Sequence, residues 1–220
     1  MLKVSVIVSN TKHPVYSVIK QWLDNLLDVD AEIVNSTEEL RDSGNFLFLV
    51  SCTDIVNSDI RSRFSHCLVL HASDLPKGRG WSPHIWEIVK GSNVLTLSLL
   101  EAEDKVDSGR IWLKKDINLD GSELYDEINN KLFTAEVELM QRALSEHETI
   151  TPYDQDSEIS PYYFPKRTPD DSQVDINKSI LNQFNLLRVC ADERFPAFFE
   201  LNGQRYTIKL EKLESSNEKE

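Results

Sequence analysis

Positive charge is the first thing this sequence is short of. Its 24 lysines and arginines stand against 37 aspartates and glutamates, a formal net charge of −13 over 220 residues. Proteins that bind nucleic acid over an extended surface draw most of their affinity from neutralising phosphates with Lys and Arg, so extended contact with tRNA or DNA is disfavoured. A small anionic ligand is still allowed, because a local basic cluster can hold one against an acidic background. Cysteine is sparse as well. Cys52, Cys67 and Cys190 show no C-x-x-C spacing, which speaks against a disulfide framework and a zinc site, and reduced thiols are expected. The histidines, His13, His66, His71, His84 and His147, have no spacing with cysteines or carboxylates that makes a ligand set, so no metal is expected. No apolar run reaches the length of a membrane span, and "MLKVSVIVSNTK" alternates instead of following the basic-then-apolar order of a signal peptide. A cytoplasmic protein with no membrane partner is the expectation, and no internal repeat is visible.

What is present is a core-forming chain, 40% hydrophobic, whose apolar residues are arranged with two alternating periods. "LKVSVIV" (2–8) reads as a strand, followed by a polar turn and, after Pro14, by "VYSVIKQWLDNLL" at helical spacing. "AEIV" (31–34) is a short strand. "NFLFLVSC" (45–52) and "HCLVLHA" (66–72) are nearly continuous apolar runs, as expected of strands covered on both faces. Residues 82–91 read as a short helix with Pro83 in its first turn and Gly91 at its end. Strands at 93–102 and 110–117 follow, then a long amphipathic helix over 122–146 with Ser122 as its cap. Strands interleaved with helices predict an α/β fold: a largely parallel sheet with helices on both faces, its ligands bound at the carboxyl ends of the strands.

His71 stands at the carboxyl end of one of these buried strands, and Asp107 follows the next strand in "KVDSGRIW", so both can reach one crevice. A histidine oriented and made more basic by a carboxylate is a general base able to take a proton from an attacking amine. Between them runs "HASDLPKGRGWSPHIWEIVKG", dense in turn-forming residues. Rigid turns hold a reacting side chain to within a fraction of an ångström.

In order, His71, Ser73, Leu75, Pro76, Arg79, Gly80, Pro83, Gly91, Asp107 and Gly109 fall in register with a known pattern. The stretch from about 45 to 115 resembles the formyltransferases that use 10-formyltetrahydrofolate, and the methionyl-tRNA formyltransferase-like, Rossmann-like fold is what the resemblance implies. It also implies catalytic roles for His71 and Asp107, and a folate pocket shaped by Ser73, Asp74, Leu75, Pro76, Glu103 and Asp104. One departure stands out. The family's Asn, two residues before the histidine, falls on Val69, which donates no hydrogen bond; in the family that donor steadies the formyl oxygen, a role worth roughly a hundredfold or more in rate. Ser51, Thr53 and Ser73 are candidate replacements, as is protonated His71 itself.

Downstream, "YYFPKRTPDDSQVDINKSI" and "RVCADERFPAFFELNGQRYTI" resemble, more weakly, the segment after the catalytic domain in nucleotide-sugar members. The chain therefore divides into a catalytic domain (1–150), a loop-rich linker (151–174), a helix and β-hairpin (175–213) with Asn202-Gly203 at its turn, and a tail (214–220) expected to be disordered. Lys12, Lys77, Arg79, Trp81, His84, Tyr162, Tyr163, Lys166 and Arg167 are the candidate substrate contacts, and Trp86 is expected to pack back against the sheet. The tRNA members carry an additional basic domain, whereas this chain ends after one hairpin with its acidic excess. The reading is a nucleotide-sugar N-formyltransferase of surface-polysaccharide synthesis, most similar to the pseudaminic-acid branch. A methionyl-tRNA or carrier-bound amino acid formyltransferase, and an inactive binding protein of the same fold, are the alternatives. The hairpin serves either a homodimer or the edge of a monomer.

Overall fold

The computed structural model describes residues 1–191 and 194–213; the tail 214–220 lies outside the described residues. In chain order the elements are β1 (Leu2–Ile7), α1 (Val15–Asp24), β2 (Val29–Val34), β3 (Gly44–Leu49), α2 (Ser58–Arg61), β4 (Phe64–His71), β5 (Arg79–Gly80), α3 (Pro83–Val89), β6 (Val94–Glu101), β7 (Ile111–Asn118), α4 (Tyr125–Glu146), β8 (Tyr163–Phe164), α5 (Ile180–Arg188), β9 (Ala197–Leu201) and β10 (Gln204–Ile208). Six of the strands form one sheet in the order β2-β1-β3-β4-β6-β7. The first four run parallel, while β6 and β7 are antiparallel to their neighbours. The connection 102–110 contains no helix to carry the chain across the sheet, so β6 must turn straight back into β7.

Strand alternation sorts the side chains onto two faces. Val4, Val6, Phe46, Phe48, Leu68, Leu70, Leu95, Leu97 and Leu99 share one core with Val15 and Ile19 of α1, Ile85 and Ile88 of α3, and the apolar stripe of α4. The opposite face, with Ile7, Leu47 and Leu49, is covered more thinly, by Leu40, Val56 and Ile60 from short turns and the four-residue α2. Helices do cover both faces, but unequally. His71, Val69 and Cys67 are on the thinly covered side, where a ligand meets loops instead of a long helix.

The start of α4 differs from the reading of Ser122 as its cap. The buried carboxylate of Glu123 accepts the N–H groups of Asp120 and Gly121 at 2.9 and 3.0 Å and the Lys131 ammonium at 2.5 Å. Burial opposes its ionisation, but these donors outweigh burial and hold it at about 2. Glu123 thus organises the turn, and the helix begins two residues later, with Glu127 accepting the Leu124 N–H at 2.8 Å. Asn202-Gly203 does form the tight hairpin between β9 and β10. That hairpin bonds to Val174 through the Phe198 carbonyl at 2.7 Å and shares a small core with Val174 and Leu187.

Two positions in this scaffold lead to stability predictions. Glu136 of α4 is buried with Oε2 unpartnered, and burial raises its carboxyl from 4.5 to about 8. The proton-bound form is therefore favoured by folding: its contribution is complete below pH 4.5, declines as pH rises and is gone above about 8. Glu136→Gln, which cannot ionise, is expected to raise Tm more at pH 9 than at pH 5, as read by thermal unfolding at both. At Gly109 a Cβ would come within 1.9 Å of the Glu101 carbonyl oxygen, so Gly109→Ala must push the 102–110 connection off β6. A loss of about 1–3 kcal/mol in urea unfolding is the expected result.

Candidate functional site

The strand β4 ends at His71, and on the same face two residues earlier Val69 packs with Leu75, Leu100 and Ile111. Across the ladder His71 is opposite Ser98, whose hydroxyl donates to the Ser73 carbonyl at 2.7 Å. The chain after His71 therefore folds down over the sheet edge instead of continuing the strand. This places the Gly78 carbonyl 2.9 Å from His71 Nε2. On the other side of the ring Nδ1 is 3.4 Å from Asp107 Oδ1, each side chain only 7% exposed. A carbonyl and an ionised carboxylate both accept, so the single N–H of a neutral ring can serve only one of the two. The two residues expected to reach one place at the strand ends do meet there.

Asp107 is held from several directions. Its backbone is in the left-handed region at φ 55°, which costs free energy for a residue with a Cβ and persists only when surrounding contacts enforce it. Its Oδ2 accepts the Gly80 N–H at 2.9 Å. The side-chain amide of Gln155 donates to the carbonyls of Asp107 and Gly109, both at 2.9 Å, while Gln155 Oε1 accepts from Arg79 at 2.6 Å. Gln155 comes from the linker, and no feature of the sequence signals its role.

The remaining candidates separate by position. Ser51 and Thr53 are exposed at the end of β3, with Thr53 N–H donating to Ser9 Oγ at 2.9 Å. Ser73, in contrast, is buried with its Oγ unpartnered, against Gly78, whose added Cβ would be 3.1 Å from that of Ser73. Leu75 and Pro76 are buried walls of the same turn. Asp74 is paired with Lys114 and Asp104 with Arg61, each at 2.6 Å, and Glu103 is exposed.

Among the candidate substrate contacts, Lys12 and Lys77 are exposed. Trp81 is 43% exposed, with the Lys166 ammonium 4.8 Å from its ring. Tyr162 donates to Glu87 at 2.7 Å; burial first, then Glu87, pushes its hydroxyl up to about 12. Tyr163 is exposed and accepts from Arg79 at 3.3 Å.

Arg79 and Arg167, expected as substrate contacts, are both buried and bonded within the protein. Arg79 is committed to Gln155 and Tyr163, and Arg167 donates to the Val189 carbonyl, Ser172 Oγ and Cys190 Sγ. These guanidiniums fasten loops together. Trp86 likewise packs on the linker instead of the sheet, donating to the Pro165 carbonyl at 3.1 Å and stacking on Phe164. His84 has a buried, unpartnered Nδ1; burial, then His13, His71 and Arg167, lowers it to about 4. His13, which follows β1, is also lowered to about 4, by burial and then Arg194. Neither His13 nor Arg194 stands out as a site residue in the sequence.

The formyl transferase family model matches residues 3–144. The methionyl-tRNA formyltransferase of Thermodesulfovibrio yellowstonii is 30% identical over 146 residues, 65% of this chain and 47% of that protein. The chain spans about half or less of the length of the curated relatives it matches. Among solved structures, a methionyl-tRNA formyltransferase from Clostridium thermocellum superposes with a TM-score of 0.81 at 18% identity, covering 98% of this chain and 95% of that one. HypX from Aquifex aeolicus in complex with tetrahydrofolic acid gives 0.76 at 16% identity, over 95% of this chain and 37% of that one. A sugar N-formyltransferase from a Shewanella species gives 0.70 at 15% identity, over 97% and 100%. At these identities the structural likeness is one of fold. The family match over most of the chain, joined to the His71–Asp107 crevice that closes the sheet at its carboxyl edge, places this protein in the formyl transferase family.

Proposed function

We propose that the protein transfers a formyl group from 10-formyltetrahydrofolate to the amine of a nucleotide-linked amino sugar. The observation that carries this reading is the buried His71–Asp107 pair at the end of β4. The residues of the turn fit a folate: Ser73 Oγ is a buried polar atom with no protein partner, beside the apolar wall of Leu75, Pro76 and Leu100. The co-substrate would supply the formyl group. The amine nitrogen bonds to the formyl carbon as the bond from that carbon to the folate nitrogen breaks. Neutral His71, with its one proton on Nδ1 toward Asp107, takes the amine's proton on the free lone pair of Nε2 and passes it to the departing nitrogen. Asp107 orients the ring and balances its charge. With Val69 unable to donate, Ser73 is the one candidate of the three that lies in the His71 turn, and it serves as donor to the developing oxyanion.

The choice of acceptor rests on charge and surface. A net charge of −13 disfavours the phosphate-rich surface of tRNA, and the Shewanella sugar enzyme shares this fold over its whole length. Exposed Trp81, Tyr162 and Tyr163 offer flat faces for a base or sugar, and exposed Lys12, Lys77 and Lys166 offer cations for a diphosphate. A pseudaminic-acid-type sugar is the finer assignment. The protein acts in the cytoplasm, where its three free thiols stay reduced; no helix among the described residues is long and apolar enough to cross a membrane.

The test is formyl transfer from 10-formyltetrahydrofolate to a panel of UDP- and dTDP-linked amino sugars, read as mass gain of the sugar. Transfer is expected in the wild type, with His71→Ala and Asp107→Asn each slower by roughly 10²–10⁴-fold. Methionyl-tRNA as the preferred acceptor overturns the sugar assignment. Folate binding without transfer to any amine favours an inactive binding protein, the reading that Val69 by itself supports.

A further inference from the structure

The loops that carry the His71–Asp107 pair are closed into a ring by residues with no part in the chemistry. The Gly80 N–H fixes Asp107 Oδ2 at 2.9 Å. The adjacent Arg79 reaches from the same short strand to Gln155 Oε1 at 2.6 Å. Gln155 then returns to the Asp107 loop, using its amide to hold the carbonyls of Asp107 and Gly109 at 2.9 Å each. The linker that carries Gln155 is itself anchored: Tyr153 and Ile111 exchange backbone hydrogen bonds at 2.8 and 3.0 Å, and β8 pairs in parallel with β5. Each corner has a reason to need the others. Asp107 is in a left-handed conformation that an L residue adopts only under constraint. Arg79 is buried and forms no ion pair with a carboxylate among the described residues, so its charge depends on Gln155 and Tyr163.

We infer that Gln155 is the positioning residue for Asp107, and that the linker is a working part of the site. The inference rests on the reading of His71 and Asp107 as the reacting pair. The geometry explains why glutamine is suited to the position. Its amide nitrogen has two hydrogens for two carbonyls, and its oxygen accepts from a guanidinium. Glutamate keeps the acceptor for Arg79, now charge-assisted, but sets a second acceptor against the carbonyls of Asp107 and Gly109. Gln155→Glu therefore separates the two functions of the residue: the hold on Arg79 survives and the hold on Asp107 is lost.

The experiment compares wild type, Gln155→Glu and Arg79→Lys in the full chain, by steady-state formyl transfer, thermal unfolding and the ring-nitrogen chemical shifts of His71. Lysine at 79 keeps the charge but not the fork that spans Gln155 and Tyr163, so it tests the opposite corner should the glutamate variant fail to fold. Expected in Gln155→Glu is a kcat lower by roughly tenfold to a hundredfold with KM for the amine unchanged, Tm close to wild type, and shifted His71 resonances. Unchanged kcat and unchanged His71 resonances overturn the inference. If the wild type transfers formyl to no amine tested, the functional reading fails, yet the His71 shifts still decide whether Gln155 sets the geometry of the pair.

Discussion

The site depends on one contact, the approach of Asp107 to His71 across the carboxyl edge of the sheet at 3.4 Å. Bringing a carboxylate there requires the 102–110 connection to run against the end of β6, where Gly109 passes so close to the Glu101 carbonyl that a side chain has no room. It also requires a left-handed backbone at Asp107 itself. Neither condition is stable alone in an exposed loop. The polar contacts around the loop, from Gly80, Gln155 and Arg79, make the strained arrangement the lowest-energy one.

This constraint clarifies the unequal layering of the fold. The face packed by α1, α3 and α4 is a continuous apolar core and supplies the rigidity. The opposite face carries Val69 and, by strand alternation, His71 beneath turns and the short α2, with no long helix over it. Polar groups concentrate at the sheet's carboxyl edge, among them His13, His84, Arg79 and Arg167, and most are already committed within the protein. The buried guanidiniums of Arg79 and Arg167 join the linker to the loop after His71 and to the end of α5.

Much of this was legible from residue pattern. Apolar runs at 45–52 and 66–72 marked central strands because a strand covered on both faces has no polar register. The ordered set from His71 to Gly109 pointed to the family, and the family match over 3–144 agrees with it. The less legible features were those set by partners distant in sequence. Ser122 looks like a cap, but Glu123, paired with Lys131, takes the N–H groups of the turn before the helix and Glu127 takes that of Leu124. Arg167 sits in a motif-like run, yet its donors go to Val189, Ser172 and Cys190.

The sequence by itself determined the α/β class, the strand that ends on His71 and the acidic composition, and through the family resemblance it pointed to Asp107 as a second reacting residue. These follow from local periodicity, turn chemistry and net charge, which are properties of neighbouring residues or of the whole composition. Only the tertiary structure decided that Ser73 is buried with an unpartnered hydroxyl while Ser51 and Thr53 are exposed, that Arg79 and Arg167 are bonded within the protein, and that Gln155 closes the ring around Asp107. Hydrogen bonds between residues separated by dozens of positions leave no periodic trace along the chain, because their geometry exists only once the sheet has brought its edges together.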